Sequence, residues 1–170
     1  MTVILPHSEA GFNLMLVDAV SAEVPGSIES VFDAFTDAEL IDQHLDMPSE
    51  FSVDSYEMIS GTWPARGACR VLQVNGTSMR ETIYDARRPY AFHYFVDEFR
   101  GGLEGKADLI VAYYMFVPLG LRTLVHWEHA IRPNGYDVIP ELESFMRNAW
   151  RPWKLRAIEQ IGAMLSGRHR

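Results

Sequence analysis

Apolar and polar residues alternate on both sides of Asn75-Gly76, from Ala68 to Ile83, and this period of two predicts a β-hairpin. Asn-Gly supplies the two positive φ angles of a type I′ turn. A two-residue loop sets Val74 opposite Thr77. Counting outward, Leu72 faces Met79, Arg70 faces Glu81 and Ala68 faces Ile83. Successive side chains of a strand point to opposite faces, so these four pairs share one face. That face is apolar except for a single charge pair, the pattern of a greasy interior with a polar anchor.

The same reading extends along the chain. Leu14–Val24 reads as a strand, with Leu14, Leu16 and Val20 among its apolar residues, broken by Pro25-Gly26-Ser27. Ser27 is an N-cap for a helix that carries Ile28, Val31, Phe32 and Phe35 at helical spacing. Thr36-Asp37 caps a second short helix to about Leu45, closed by Met47-Pro48. Strands then follow at Tyr56–Ser60, Ala68–Val74, Thr77–Asp85, Tyr90–Phe99, Ala107–Val117 and Arg122–Arg132. Their connections are short, which implies sequential antiparallel pairing.

If Leu119-Gly120 forms the last turn, Pro118 faces Leu121, Phe116 faces Thr123 and Tyr114 faces Val125. Ala112 then faces Trp127, and Ile110 faces His129. Pro140 suits the first turn of a long closing helix. Its apolar stripe runs through Leu142, Phe145, Met146, Ala149, Trp150, Trp153, Ala157, Ile161 and Met164. Pro152 lies inside the stripe and should kink or split the helix. An α+β fold satisfies this order, with a curved antiparallel sheet covered by one long helix.

Composition narrows the function. The 170 residues read as one domain, with a core over about 14–165 and loose termini at 1–12 and 167–170. A net charge of −8 without a basic patch argues against nucleic acid and against an anionic membrane surface. Cys69 is the single cysteine, so no internal disulfide forms, and it reads as a small structural residue. The first residues lack the pattern of a signal peptide. The longest apolar run, Leu109–Leu121, holds Pro118 and Gly120 and is too short to span a bilayer. A cytoplasmic protein, monomeric or homodimeric, with no membrane insertion, is the expectation.

Several local features resemble the polyketide cyclase/dehydrase branch of the SRPBCC, or START-like, helix-grip superfamily. Gly67–Arg70 (GACR) followed by Glu81 and Ile83 is similar to its Gly-x-x-Arg…Glu-x-Val/Ile pattern. Tyr94 with Val96 resembles its Tyr-x-Val strand. Leu121–Trp127 resembles its Gly-Thr-x-x-x-Trp strand, with Arg122 where glycine is usual. The resemblance spans about Leu14 to Leu165. It implies a seven-stranded sheet wrapped around the C-terminal helix, two short helices after the first strand, and a cavity between sheet and helix. The fold hosts binders, carriers and enzymes alike, so it implies no single activity.

Arg70 and Glu81 lead the candidate residues. An inward arginine and glutamate should pair, because a lone buried charge is costly. The pair either anchors a polar group of an apolar ligand or is a structural ion pair in the cavity wall. Tyr114, Trp127 and His129 share the inward face of the last hairpin. His129 is a candidate proton shuttle and Tyr114 a hydrogen-bond donor, or both are polar tips in an aromatic core. The resemblance implies that Tyr94 falls inside, which puts His93 on the outer side. Phe145, Ala149, Trp150 and Trp153 put an aromatic face of the helix against the pocket. With Tyr94, Tyr114 and Trp127, they make up the expected ligand-binding set.

His126, Glu128 and His129 do not make a metal site, because strand alternation sends them to opposite faces. Gly101-Gly102 precedes a strand and is no phosphate cradle. No metal or cofactor is expected. The reading is a binder of a hydrophobic small molecule such as a lipid, polyketide or isoprenoid-like compound. Two alternatives stand beside it: a polyketide cyclase, dehydratase or lyase using the same cavity, and a partner-binding module with a filled core.

Overall fold

The computed structural model describes residues 14–41 and 52–167, together with the backbone of residues 2–4. The strands are β1 (Thr2–Ile4), β2 (Leu14–Pro25), β3 (Val53–Ser60), β4 (Cys69–Val74), β5 (Thr77–Arg87), β6 (Ala91–Arg100), β7 (Ala107–Leu119) and β8 (Arg122–Pro133). The helices are α1 (Ile28–Thr36), α2 (Ile139–Phe145) and α3 (Arg151–Gly167), with a π-helical turn at Met146–Trp150 joining the last two. One antiparallel sheet runs in the order β1-β2-β8-β7-β6-β5-β4-β3. The seven expected strands are all present. A short edge strand, Thr2–Ile4 against Leu14–Leu16, joins them within a segment expected to be loose.

Local chemistry explains the boundaries. The Ser27 side chain accepts from the Ser30 N–H and caps α1. Asp37 Oδ1 accepts from the Leu40 N–H at 3.1 Å and starts the second helical turn over 38–41. The remainder of that expected helix, with Leu45 and Met47-Pro48, lies outside the described residues.

The first hairpin has the expected register: Val74 opposes Thr77, Leu72 opposes Met79 and Arg70 opposes Glu81. Asn75 and Gly76 take φ of +46° and +74°, as a type I′ turn requires. The last hairpin differs from expectation. Leu119 opposes Arg122, so the loop is Gly120-Leu121, and Tyr114 opposes Trp127, Ala112 opposes His129 and Ile110 opposes Ile131. Gly120, at φ +70°, occupies the first loop position, where a type II′ turn places glycine. Each partner moves by two residues, so every side chain keeps its expected face.

The closing helix also departs from the expected stripe. Leu142, Met146, Trp150, Lys154 and Ile158 are buried at steps of four. Four residues overshoot one 3.6-residue turn, so an unbroken α-helix would carry this row off its face. The π turn takes up the excess, with the Arg151 N–H bonding to the Met146 carbonyl. It ends just before Pro152, which has no N–H to give. The proline that was expected to kink or split the helix therefore sits beside a widened turn in one continuous helical run. Ala149 is left half-buried instead of facing the pocket.

The core lies between the inward face of the sheet and the helices. Phe35 packs edge-on against Tyr114, Phe116 and Trp127. Trp153 closes on Trp127 at 4.9 Å.

Candidate functional site

Between the sheet and the closing helix lies a cavity of about 330 Å³. The interior is therefore not filled, unlike the core that the partner-binding alternative expected. Its walls come from the inward rows of β4–β8, from α2 and from the π turn. Its mouth is formed by the Asn75-Gly76 turn, the loop after β6 with Leu103 and Lys106, and Glu141 of α2. Gly101 lets that loop approach the turn. At φ +88°, a Cβ there would meet the Gly76 carbonyl oxygen at 2.7 Å, closer than side-chain contacts allow. The Gly102 N–H donates to Thr77 Oγ1 at 3.1 Å. Lys106 Nζ donates to Glu141 Oε1 at 2.7 Å across the rim.

Arg70, Glu81 and His129 all line the cavity. Arg70 Nε donates to Glu81 Oε2 at 2.6 Å, and both residues are 4% exposed. The guanidinium carbon also lies 4.0 Å from the centroid of Trp63 and 5.5 Å from that of Tyr56. The cation is thus met by a carboxylate and by aromatic faces. Trp63 itself is tied to α1, its indole N–H donating to the Thr36 carbonyl at 3.0 Å.

His129 is buried and stacks on Trp150, with ring centroids 4.3 Å apart and planes at 23°. Its Nε2 makes a long contact of 3.5 Å with the Tyr94 hydroxyl, and its Nδ1 has no hydrogen-bond partner among the described residues. Burial first, and then the charge of Lys154, hold its pKa well below the ordinary 6.5. The ring is therefore a neutral imidazole at physiological pH, able to accept or pass a proton but not standing ready as a cation.

This has a consequence for stability. Below pH 6.5 the unfolded chain binds a proton at His129 that the folded chain does not. The stabilisation is complete above 6.5 and is lost as pH falls toward the depressed folded value. Each pH unit of that window costs about 1.4 kcal/mol, and His93, also lowered by burial, adds in the same direction. Urea midpoints measured from about pH 8 to about pH 5 should fall less steeply for His129→Phe than for the parent. Parallel curves would show that His129 carries a proton in the fold.

The other expected ligand-binding residues divide. Tyr94, Tyr114, Phe145, Trp150 and Trp153 line the cavity. Trp127 does not. It shares the inward face but is fully buried, stacked on Tyr114 at 4.9 Å and covered by Phe35 and Trp153, so it backs the wall. Ala149 is not in the lining either, because the π turn brings Trp150 and Trp153 to the pocket instead. His126 and Glu128 lie on the outer face, 3.7 Å apart, away from His129.

Two neighbours of the site were not expected from sequence. Lys154 is fully buried. Its Nζ donates to the Asp18 carbonyl at 2.7 Å and lies 2.5 Å from Asp18 Oδ2. Arg151 donates to Asp18 Oδ1 at 2.7 Å. Burial lowers the pKa of Lys154, and Asp18 opposes that shift. The signals were in the sequence. Asp18 has the strand parity of Leu16 and Val20, and Lys154 lies four residues after Trp150.

No family model matches the chain, and no curated protein matches it. Solved structures do. Norcoclaurine synthase from Thalictrum flavum, solved with dopamine and hydroxybenzaldehyde, is 14% identical, with 98% of this chain and 97% of that one covered at a TM-score of 0.67. A START superfamily protein from Mycobacterium smegmatis is 14% identical over 88% of this chain and 98% of that one, at 0.67. A major latex-like protein from Panax ginseng is 14% identical over 88% and 97%, at 0.66. These likenesses, together with the curved sheet and closing helix, show that the chain has the helix-grip fold.

Proposed function

We propose that this protein binds a neutral, largely apolar, ring-containing small molecule in the cavity between sheet and closing helix, as a carrier or receptor would. The observation that carries this reading is the chemistry of the walls. Aromatic rings from Tyr94, Tyr114, Phe145, Trp150 and Trp153 surround a void of about 330 Å³, at the low end of small-molecule pockets. Flat ligand rings would stack against them. Arg70 is already paired with Glu81, and Lys106 with Glu141. Each cation's charge is already matched by a carboxylate, which disfavours an anionic ligand, whereas a neutral hydroxyl or carbonyl can join the pairs without adding charge. A polyketide or isoprenoid-like compound meets that description better than a fatty acid.

A second reading, a cyclase or dehydratase acting on a polyketide-like chain, is favoured by one arrangement. The neutral His129 ring and the Tyr94 hydroxyl sit in the same wall as the Arg70–Glu81 pair, where a proton acceptor and a donor would face one folded substrate.

The binding reading is tested by native mass spectrometry of freshly purified protein and by titration with N-phenyl-1-naphthylamine, a neutral ring compound. Micromolar binding is expected. Met79→Trp, which fills the half-buried inward position beside Leu72, should abolish it while leaving the circular dichroism unchanged. Probe uptake that Met79→Trp leaves intact, or no uptake at all, would refute the proposal. In the second reading a ligand that travels with the protein is turned over, and Tyr94→Phe and His129→Phe should stop that turnover but not binding; in the first reading the ligand is bound and released unchanged.

A further inference from the structure

Among the described residues, the buried side-chain nitrogens and oxygens that lack a hydrogen-bond partner include one from a residue lining the cavity, Nδ1 of His129. Its other ring nitrogen, Nε2, meets the Tyr94 hydroxyl only at 3.5 Å, beyond the roughly 2.7–3.2 Å of a well-formed hydrogen bond. The sheet places this pair. Tyr94 on β6 and His129 on β8 are both register partners of Ala112 on β7. Their backbones are two strand spacings apart, roughly 10 Å, and the side chains meet above a bare methyl group. Trp150 lies on the imidazole, with centroids 4.3 Å apart, and fixes its plane. Other polar groups of the lining are already served. Arg70 holds Glu81, Lys106 holds Glu141, and Thr77 Oγ1 accepts from the Gly102 N–H.

We propose that the ligand carries a ring hydroxyl and that this hydroxyl seats on the Tyr94–His129 contact. The inference rests on the binding reading and adds to it the chemistry of the ligand's polar substituent. An oxygen set over a contact of 3.5 Å can lie about 2.8 Å from both atoms. A neutral imidazole has one N–H and one bare nitrogen. With Nε2 bare, the ligand hydroxyl donates to it and accepts from the Tyr94 hydroxyl. With the hydrogen on Nε2, the two directions reverse. A hydroxyl therefore fits either tautomer. An ether or carbonyl oxygen only accepts, and it sets lone pair against lone pair when Nε2 is bare. A hydrocarbon covers both polar atoms and gives them nothing, which costs free energy.

Calorimetric titration of the full chain with 2-naphthol, 2-methoxynaphthalene and naphthalene tests this. The naphthol should bind at least about 10-fold more tightly than either analogue. It is the most polar of the three, so transfer from water alone would rank it last. His129→Phe should remove the preference and leave the three compounds bound alike, at the level of the ether. Tyr94→Phe should reduce the preference, and serves if His129→Phe misfolds. In the parent, the ring-nitrogen NMR signals of His129 should move further with the naphthol than with its methyl ether. Equal affinities for the three compounds, or a preference that survives both substitutions, would overturn this inference and leave the binding reading standing. No uptake of these compounds or of N-phenyl-1-naphthylamine would overturn both.

Discussion

Glu81→Ala is expected to destabilise the protein by about 3–5 kcal/mol, the cost of removing one member of a buried ion pair. Arg70 would keep its stacking on Trp63 and Tyr56 but lose the carboxylate 2.6 Å from its Nε. Cation–π contact supplies only about 0.5–2 kcal/mol, less than the desolvation it would have to offset. Removing both charges has a different outcome. Arg70→Met combined with Glu81→Leu should come within about 1 kcal/mol of the parent or exceed it, because a well-packed apolar pair escapes desolvation. Urea denaturation of the parent, the single variant and the double variant measures this. A single variant as stable as the parent would place the pair in water. Ligand uptake by the double variant then separates the two roles of the pair. Loss of uptake at full stability marks an anchor, and full uptake marks a structural pair.

Asp18→Ala is expected to be comparably costly, again about 3–5 kcal/mol near neutral pH. One carboxylate meets two cations from the closing helix, the fully buried Lys154 and the half-exposed Arg151. Without it, the Lys154 ammonium keeps its hydrogen bond to the Asp18 backbone carbonyl at 2.7 Å but loses its carboxylate partner. The lysine's folded pKa, already lowered by burial, should fall further. The sign of the pH effect follows. In the window between that lowered value and the unfolded 10.5, the unfolded chain holds the extra proton, so stability rises with pH. The deficit of Asp18→Ala should therefore shrink as pH is raised from about 7 to about 9. Lys154→Met should cost much less, since Asp18 keeps Arg151. Equal losses for the two variants at every pH would contradict this account.

Much of the site was legible one residue at a time. The Arg70–Glu81 pairing required only a two-residue Asn-Gly loop and strand alternation, both local. Tyr114 and His129 followed from the same alternation in the last hairpin, whereas Tyr94 was placed inside by the family resemblance. Parity also survived the misplaced last turn, because a shift of two residues leaves every side chain on its face. Trp127 and Ala149 show where such reasoning stops. Trp127 has the right parity, but whether an inward residue meets a cavity or a neighbouring ring depends on what lies above it, here Phe35 and Trp153. Ala149 fits an ideal helical stripe, yet the π turn before Pro152 changes which residues reach the pocket. Trp63 sat in a loop whose position depends on a contact with α1, 27 residues away.

The sequence by itself determined the element order, the faces of the strands and the presence of one charge pair in an apolar wall. These depend on φ/ψ preferences and on periods of two and 3.6, which act between near neighbours. Only the tertiary structure decided that the interior stays hollow, that Lys154 reaches Asp18 across 136 residues and that His129 is held neutral. Volume left over, burial and the field of distant charges are properties of how elements stack, and no stretch of the chain carries them alone.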